Sequence, residues 1–96
     1  DRIRLDQASM NHFTLPRFWV LYNQLPKEIR KLADKNYQLL RSDPEHPSLH
    51  FKKIGNKGLW SVRVGISYRA LGRETQDGIV WFWIGSHAGY DKLVSG

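Results

Sequence analysis

No cysteine occurs in the 96 residues. A disulfide framework and a thiolate metal site are therefore both excluded, and the composition fits a reducing compartment. No apolar run approaches the roughly 18–20 residues that a membrane-spanning helix needs, so no membrane partner is expected. The amino end lacks the central apolar block of a secretory leader, and a cytoplasmic location is expected. Acidic residues are in the minority, 9 against 15 Lys and Arg. The net charge of +6 favours phosphate-rich or acidic partners, although a basic surface also serves solubility alone. Methionine occurs once, at Met10. The stretch before it, DRIRLDQAS, holds two Asp and two Arg and adds no net charge. Residues 1–9 read as an extension ahead of a natural start at Met10, with residues 10–96 as a single domain.

What is present is enough for one small core. Hydrophobic residues make up 41% of the chain, four of them Trp, and a domain of this size has a thin interior. In PRFWVLYNQL, Phe18, Leu21, Tyr22 and Leu25 recur at helical spacing. Pro16 suits a first helical turn, with Thr14 as a nearby cap. Pro26 interrupts this helix and starts a second, PKEIRKLADKNYQLLRS. There Ile29, Leu32, Ala33, Asn36 or Tyr37, and Leu40 form one stripe, and most charges fall elsewhere.

DPEHP, Asp43 to Pro47, breaks the pattern, and the period then changes to two. SLHFKKI alternates through Leu49, Phe51 and Ile54. LWSVRV sets Trp60, Val62 and Val64 against Ser61 and Arg63. Gly65 allows a bend before SYRALG resumes as a strand. Asp77-Gly78 is a hairpin signature, and IVWFWI reads as a central strand. A short strand near His12 to Leu15 can join the sheet edge, and YDKLV can close the chain as a short helix. The expected fold class is α+β: two amino-terminal helices packed on a twisted antiparallel sheet of three to four strands. The opposite sheet face is expected to carry Lys52, Ser61, Arg63 and Arg69.

Lys52, Lys53, Arg63 and Arg69 lie on three successive strand segments, where adjacent strands bring them onto one face. Arginine's planar fork grips phosphate oxygens in a defined orientation. The same pattern also describes an ordinary solvated sheet face. His87 follows the apolar strand after Gly85 and Ser86. A strand end is where a rigid scaffold delivers a residue to a site, and histidine suits either protonation role near neutral pH. It also suits a loop residue that hydrogen-bonds locally. Tyr90 can stack a base or simply pack the last turn. His46, His50 and His87 do not make a zinc site: Pro47 interrupts the helical spacing, and no thiolate supports them. GRETQDG lacks the spacing of a phosphate loop. No metal and no cofactor are expected.

Three stretches, DPEHPSLHFKKI, LWSVRVGISYRALG and IVWFWIGSHAGYDKL, together resemble the RelE/ParE superfamily of bacterial toxin–antitoxin toxins. The resemblance covers about residues 12–94. It implies paired helices on a curved antiparallel sheet and a cognate antitoxin as partner. It also implies one of two activities on one fold. RelE-like members are ribosome-dependent messenger-RNA endonucleases, and ParE-like members poison DNA gyrase. On the nuclease branch Arg69 matches the arginine of the third strand, and Arg63 falls where some members have a second cation. His87 occupies the post-strand catalytic position. Lys52, Lys53, Tyr90 and Trp60 are then substrate-binding candidates. Ser61 stands where one member has lysine, and no glutamate base is evident, since Glu74 falls in a predicted turn. The nuclease reading implies metal-independent attack of the ribose 2′-OH on its own 3′ phosphate, on messenger RNA presented by the ribosome. The alternatives are a gyrase-binding toxin without a nuclease centre and an inactive antitoxin-binding module.

Overall fold

The computed structural model describes residues 11–95. The expected extension at residues 1–9 and the start at Met10 lie outside that range. The elements run β1 (His12–Thr14), α1 (Pro16–Asn23), α2 (Lys27–Ser42), a 3-10 turn (Pro47–Leu49), β2 (Lys52–Ile54), β3 (Leu59–Val64), β4 (Tyr68–Thr75), β5 (Gly78–Ser86) and α3 (His87–Ser95). The strands form one five-stranded sheet in the order β1-β5-β4-β3-β2. From β2 to β5 it is an antiparallel meander. β1 adds a fifth strand, parallel to β5. The sheet is therefore mixed and one strand wider than periodicity alone indicates. A three-residue strand is too short to show an alternation of its own.

The two amphipathic helices fold as their stripes dictate. Phe18, Leu21, Tyr22, Ile29, Leu32 and Ala33 pack against a core of Leu25, Leu40, Leu49, Val62, Val64, Ala70, Ile79, Trp81 and Ile84. Pro16 stands at the start of α1, but Thr14 does not cap it: Leu15 is the N-cap and makes no side-chain bond. The Thr14 hydroxyl instead accepts from Trp19 Nε1 at 2.9 Å. Leu49 is fully buried from the 3-10 turn, not from a strand. The Asn36 side chain donates to the Arg63 carbonyl at 3.1 Å, tying α2 to β3. At the β4–β5 pairing a bulge separates Leu71↔Trp83 from Gly72↔Trp81. It leaves Phe82 as the extra residue and keeps Trp81 in the core.

β1 is held by more than its ladder. Ile79 N–H donates to the Asn11 carbonyl at 3.0 Å and Leu15 N–H to the Trp81 carbonyl at 3.1 Å. Trp81 Nε1 donates to His12 Nδ1 at 3.2 Å. Burial, and after it the positive charge of Arg41, lower the His12 pKa. A protonated imidazole has no lone pair for the Trp81 N–H. The unfolded chain thus binds this proton at a higher pH than the folded chain does. The contribution to stability is complete above about pH 6.5 and is lost as pH falls from there through the lower folded value. Urea unfolding at about pH 7.5 and about pH 5.5 should show this loss in the wild type and a smaller one in His12→Gln. Equal losses in the two proteins count against it.

Candidate active site on the outer sheet face

Side chains alternate across a strand, and directly paired residues share a face. The register therefore assigns every strand residue to a side. Trp60, Val62, Val64, Tyr68, Ala70 and Trp81 face the helices and the core. On the outer face, one row runs Lys52–Ser61–Leu71–Trp83 and the next runs Arg63–Arg69–Gly85. Ser61 is only 3% exposed and Leu71 2%, so this face is a packed floor and not a solvated plane.

Arg63 and Arg69 are directly opposite each other on β3 and β4. Like charges in that relation are destabilising. Arg69 Nη1 donates to the carbonyls of Tyr68 at 2.9 Å and Ile66 at 3.3 Å, which fixes its guanidinium near the turn before β4. Burial, and after it the neighbouring Arg63, lower the Arg69 pKa, while Tyr90 and Asp91 act in the opposite direction. Arg69 remains a cation in any case. Arg63 Nε is buried and has no hydrogen-bond partner among the described residues. Neither guanidinium has a carboxylate within ion-pair distance among the described residues, so the pair is suited to an oxyanion from outside.

The third wall comes from α3. Ser86 ends β5, and its hydroxyl accepts from Gly89 N–H at 3.2 Å, as a helix N-cap does. His87 N–H donates to the Ser67 carbonyl at 2.7 Å, anchoring the start of α3 to the turn that precedes Arg69. A Cβ at Gly85 would lie 2.6 Å from Trp83 Cζ2, and one at Gly89 3.1 Å from the same atom. The two glycines thus let the Trp83 indole fit beneath α3. His87 is therefore the first residue of a helix, not a loop residue. Sequence alone suggests a loop because Gly85, Ser86 and Gly89 look like breakers. Here they act as a cap and as space for an indole. Tyr90 comes next to both partners: its ring is 6.0 Å from the Arg69 guanidinium carbon and 5.9 Å from the His87 ring.

Arg63, Arg69, His87 and Tyr90 are brought together, with Lys52 on the same face further along the sheet. Lys53 and Trp60 are not. They pair with each other across β2 and β3 on the helix side. The Trp60 ring is stacked on Phe51 at 4.7 Å, and the Lys53 ammonium lies 5.7 Å from its centre. Glu74, on β4 and not in a turn, accepts from Trp60 Nε1 at 2.8 Å and pairs with Lys53 at 3.2 Å. These bonds, with that to Trp60 first, hold the Glu74 carboxyl below its ordinary pKa. Glu74 is thus engaged away from the arginines. Two further residues have no role assigned from the sequence. Arg73 pairs with Leu59 and Val80 on the outer side of β4, in line with the alternation of Arg69 and Leu71. Asp91 reaches His87 Nδ1 at 3.2 Å across one helical turn. Its i,i+4 spacing is the signal that locates it, once α3 is known to be a helix. A separate apolar cavity of about 460 Å³ lies on the helix side, lined by Phe18, Trp19, Tyr22, Tyr37 and Trp81 among others. It does not open between the two arginines.

The family model for the ParE-like toxin domain matches residues 27–92, and the chain belongs to that family. The resemblance to the RelE/ParE superfamily is borne out. Solved structures agree in fold. The RelB–RelE antitoxin–toxin complex of Methanococcus jannaschii contains a chain similar at TM-score 0.66 and 20% identity, covering 84% of this chain and 96% of that one. YafQ of E. coli strain BL21(DE3) is similar at TM-score 0.67 and 13% identity, with 84% and 97% covered. A YoeB/ParE toxin of Agrobacterium tumefaciens is similar at TM-score 0.61 and 13% identity, with 81% and 99% covered. No curated protein sequence matches. Among the described residues, no helix is long and apolar enough to cross a membrane.

Proposed function

We propose that this toxin is a metal-independent endoribonuclease that cuts messenger RNA presented by the ribosome and is held inactive by a cognate antitoxin. The observation that carries the reading is the direct pairing of Arg63 with Arg69 beneath a helix that begins at His87. A scissile phosphate between the guanidiniums offsets their mutual repulsion. The ribose 2′ oxygen attacks the adjacent phosphorus. The O2′–P bond forms and the P–O5′ bond breaks. His87 gives a proton to the departing 5′ oxygen, and the 2′ proton passes to water. The products are a 2′,3′-cyclic phosphate and a 5′-hydroxyl end. Arg63 and Arg69 stabilise the charge that builds on the phosphoryl oxygens. Tyr90 stacks a neighbouring base, and Lys52 adds charge along the same face. A domain with a shallow site and net charge of +6 relies on the ribosome to present the strand. An antitoxin with an acidic or amphipathic segment suits the same surface.

The test is inducible expression in a bacterial host, with growth and messenger ends followed and His87→Ala and Arg69→Ala run in parallel. Growth arrest with messengers cut within translated codons, and silence in both variants, is the expected result. The family's ParE-like description favours a second reading, a gyrase-binding toxin without nuclease activity. Arrest with intact messengers, damaged DNA and an unaffected His87→Ala variant selects it. An absence of arrest from the wild type would leave only an inactive antitoxin-binding module.

A further inference from the structure

We infer that Asp91 is the positioning residue of the site: it holds the His87 imidazole by Nδ1 and so presents Nε2 to the 5′ leaving oxygen. This rests on the nuclease reading above. Asp91 Oδ2 and His87 Nδ1 are 3.2 Å apart, one helical turn from each other on α3. The first turn of α3 is fixed independently by the Ser86 cap and by the bond from His87 N–H to the Ser67 carbonyl. The backbone that carries the imidazole therefore cannot shift without loss of both. What remains free is rotation of the ring, and the carboxylate restrains that. With Nδ1–H donated to Asp91, Nε2 is the nitrogen left for the substrate.

A stabilising role explains the pair poorly. Both side chains are about half exposed, at 46% and 57%, and exposed ion pairs add little to stability. The order is also the weaker one for a helix. The basic partner stands at the amino end and the carboxylate four residues later, against the helix dipole. Asp91 acts additionally on Arg69, but its ion-pair contact within 4.0 Å among the described residues is His87. One carboxylate thus faces the acid of the reaction directly and the phosphate clamp only at a distance.

The experiment uses the purified full chain on ribosomes programmed with a synthetic messenger. The codon cut by the wild type is mapped first. A second messenger then carries sulfur in place of the bridging 5′ oxygen at that bond. A thiolate leaves without being protonated, so this substrate needs no general acid. Asp91→Asn should slow cutting of the oxygen messenger by about tenfold to a hundredfold, part of the roughly 10²–10⁴ that a general acid supplies. It should cut the sulfur messenger nearly as fast as the wild type, and His87→Ala should show the same rescue. Asp91→Glu should recover part of the oxygen rate. If Asp91→Asn loses both substrates equally, its role is structural and the inference falls. If it loses neither while His87→Ala loses the oxygen substrate alone, His87 is the acid and Asp91 does not position it. If the wild type cuts neither messenger, the nuclease reading itself fails.

Discussion

An Arg63→Met variant is expected to melt higher than the wild type and to have lost messenger cleavage. Arg63 lies opposite Arg69, and its Nε is buried without a partner among the described residues. Leaving a buried donor unsatisfied costs about 1–3 kcal/mol, and like charges directly across a strand pair cost a further few tenths to about 1 kcal/mol. Methionine keeps much of the side chain's volume and removes both costs. A net gain of about 1 kcal/mol corresponds to roughly 4–8 °C in a domain of this size. On the proposed mechanism the same change removes one of two donors to the transition-state phosphate, a loss of roughly 10²–10³ in rate. Arg69→Met is the contrasting variant. Arg69 donates to two carbonyls, so its loss leaves acceptors unpaired and should not raise the melting temperature. Calorimetry with a cleavage assay reads both quantities. An Arg63→Met protein that melts lower, or that still cuts, would remove the case for an anion held between the two arginines.

Trp81→Ala is expected to lower the stability of the fold by about 3–5 kcal/mol. Trp81 is 4% exposed and joins three parts of the fold. It packs in the core cluster, its carbonyl accepts from Leu15 N–H, and its Nε1 donates to His12. A large aromatic cut to Ala in a core costs about 3–5 kcal/mol, and a domain has about 5–15 kcal/mol in all. Trp81→Phe keeps most of the apolar contact, loses the indole donor and should cost distinctly less. Urea unfolding of the two variants measures the difference. Similar midpoints for both would place the stabilisation in the hydrogen bond to His12, not in packing. Because β1 and the core meet at this residue, the Trp81→Ala protein should also lose the slow amide exchange of β5.

Much of this was legible from residue order. The stripes Phe18–Leu21–Tyr22–Leu25 and Ile29–Leu32–Ala33–Leu40 face the core, because helical periodicity is a local property that needs only apolar side chains at the right spacing. The alternation of Trp60, Val62 and Val64 against Ser61 and Arg63 likewise fixes the two sides of β3. Other features needed partners that are remote in the chain. The short edge strand expected near His12 to Leu15 forms, but only its pairing with β5 shows that it runs parallel. The bulge in β5 sets Gly72 opposite Trp81 and Arg73 opposite Val80, a register that only the pairing of the two strands shows.

Residue order was enough for α1, α2, the meander and the toxin family. Each depends on local spacing or on a contiguous motif. Tertiary structure alone decided which of the candidate residues meet. It set Lys52 on the side of Arg63 and Lys53 on the side of Trp60, since only the pairing of β2 with β3 says which face each lysine takes. It also turned GSHAGYD from an apparent loop into the start of a helix over Trp83. Two glycines permit that close approach, and nothing within the segment itself shows an indole from the preceding strand waiting beneath it.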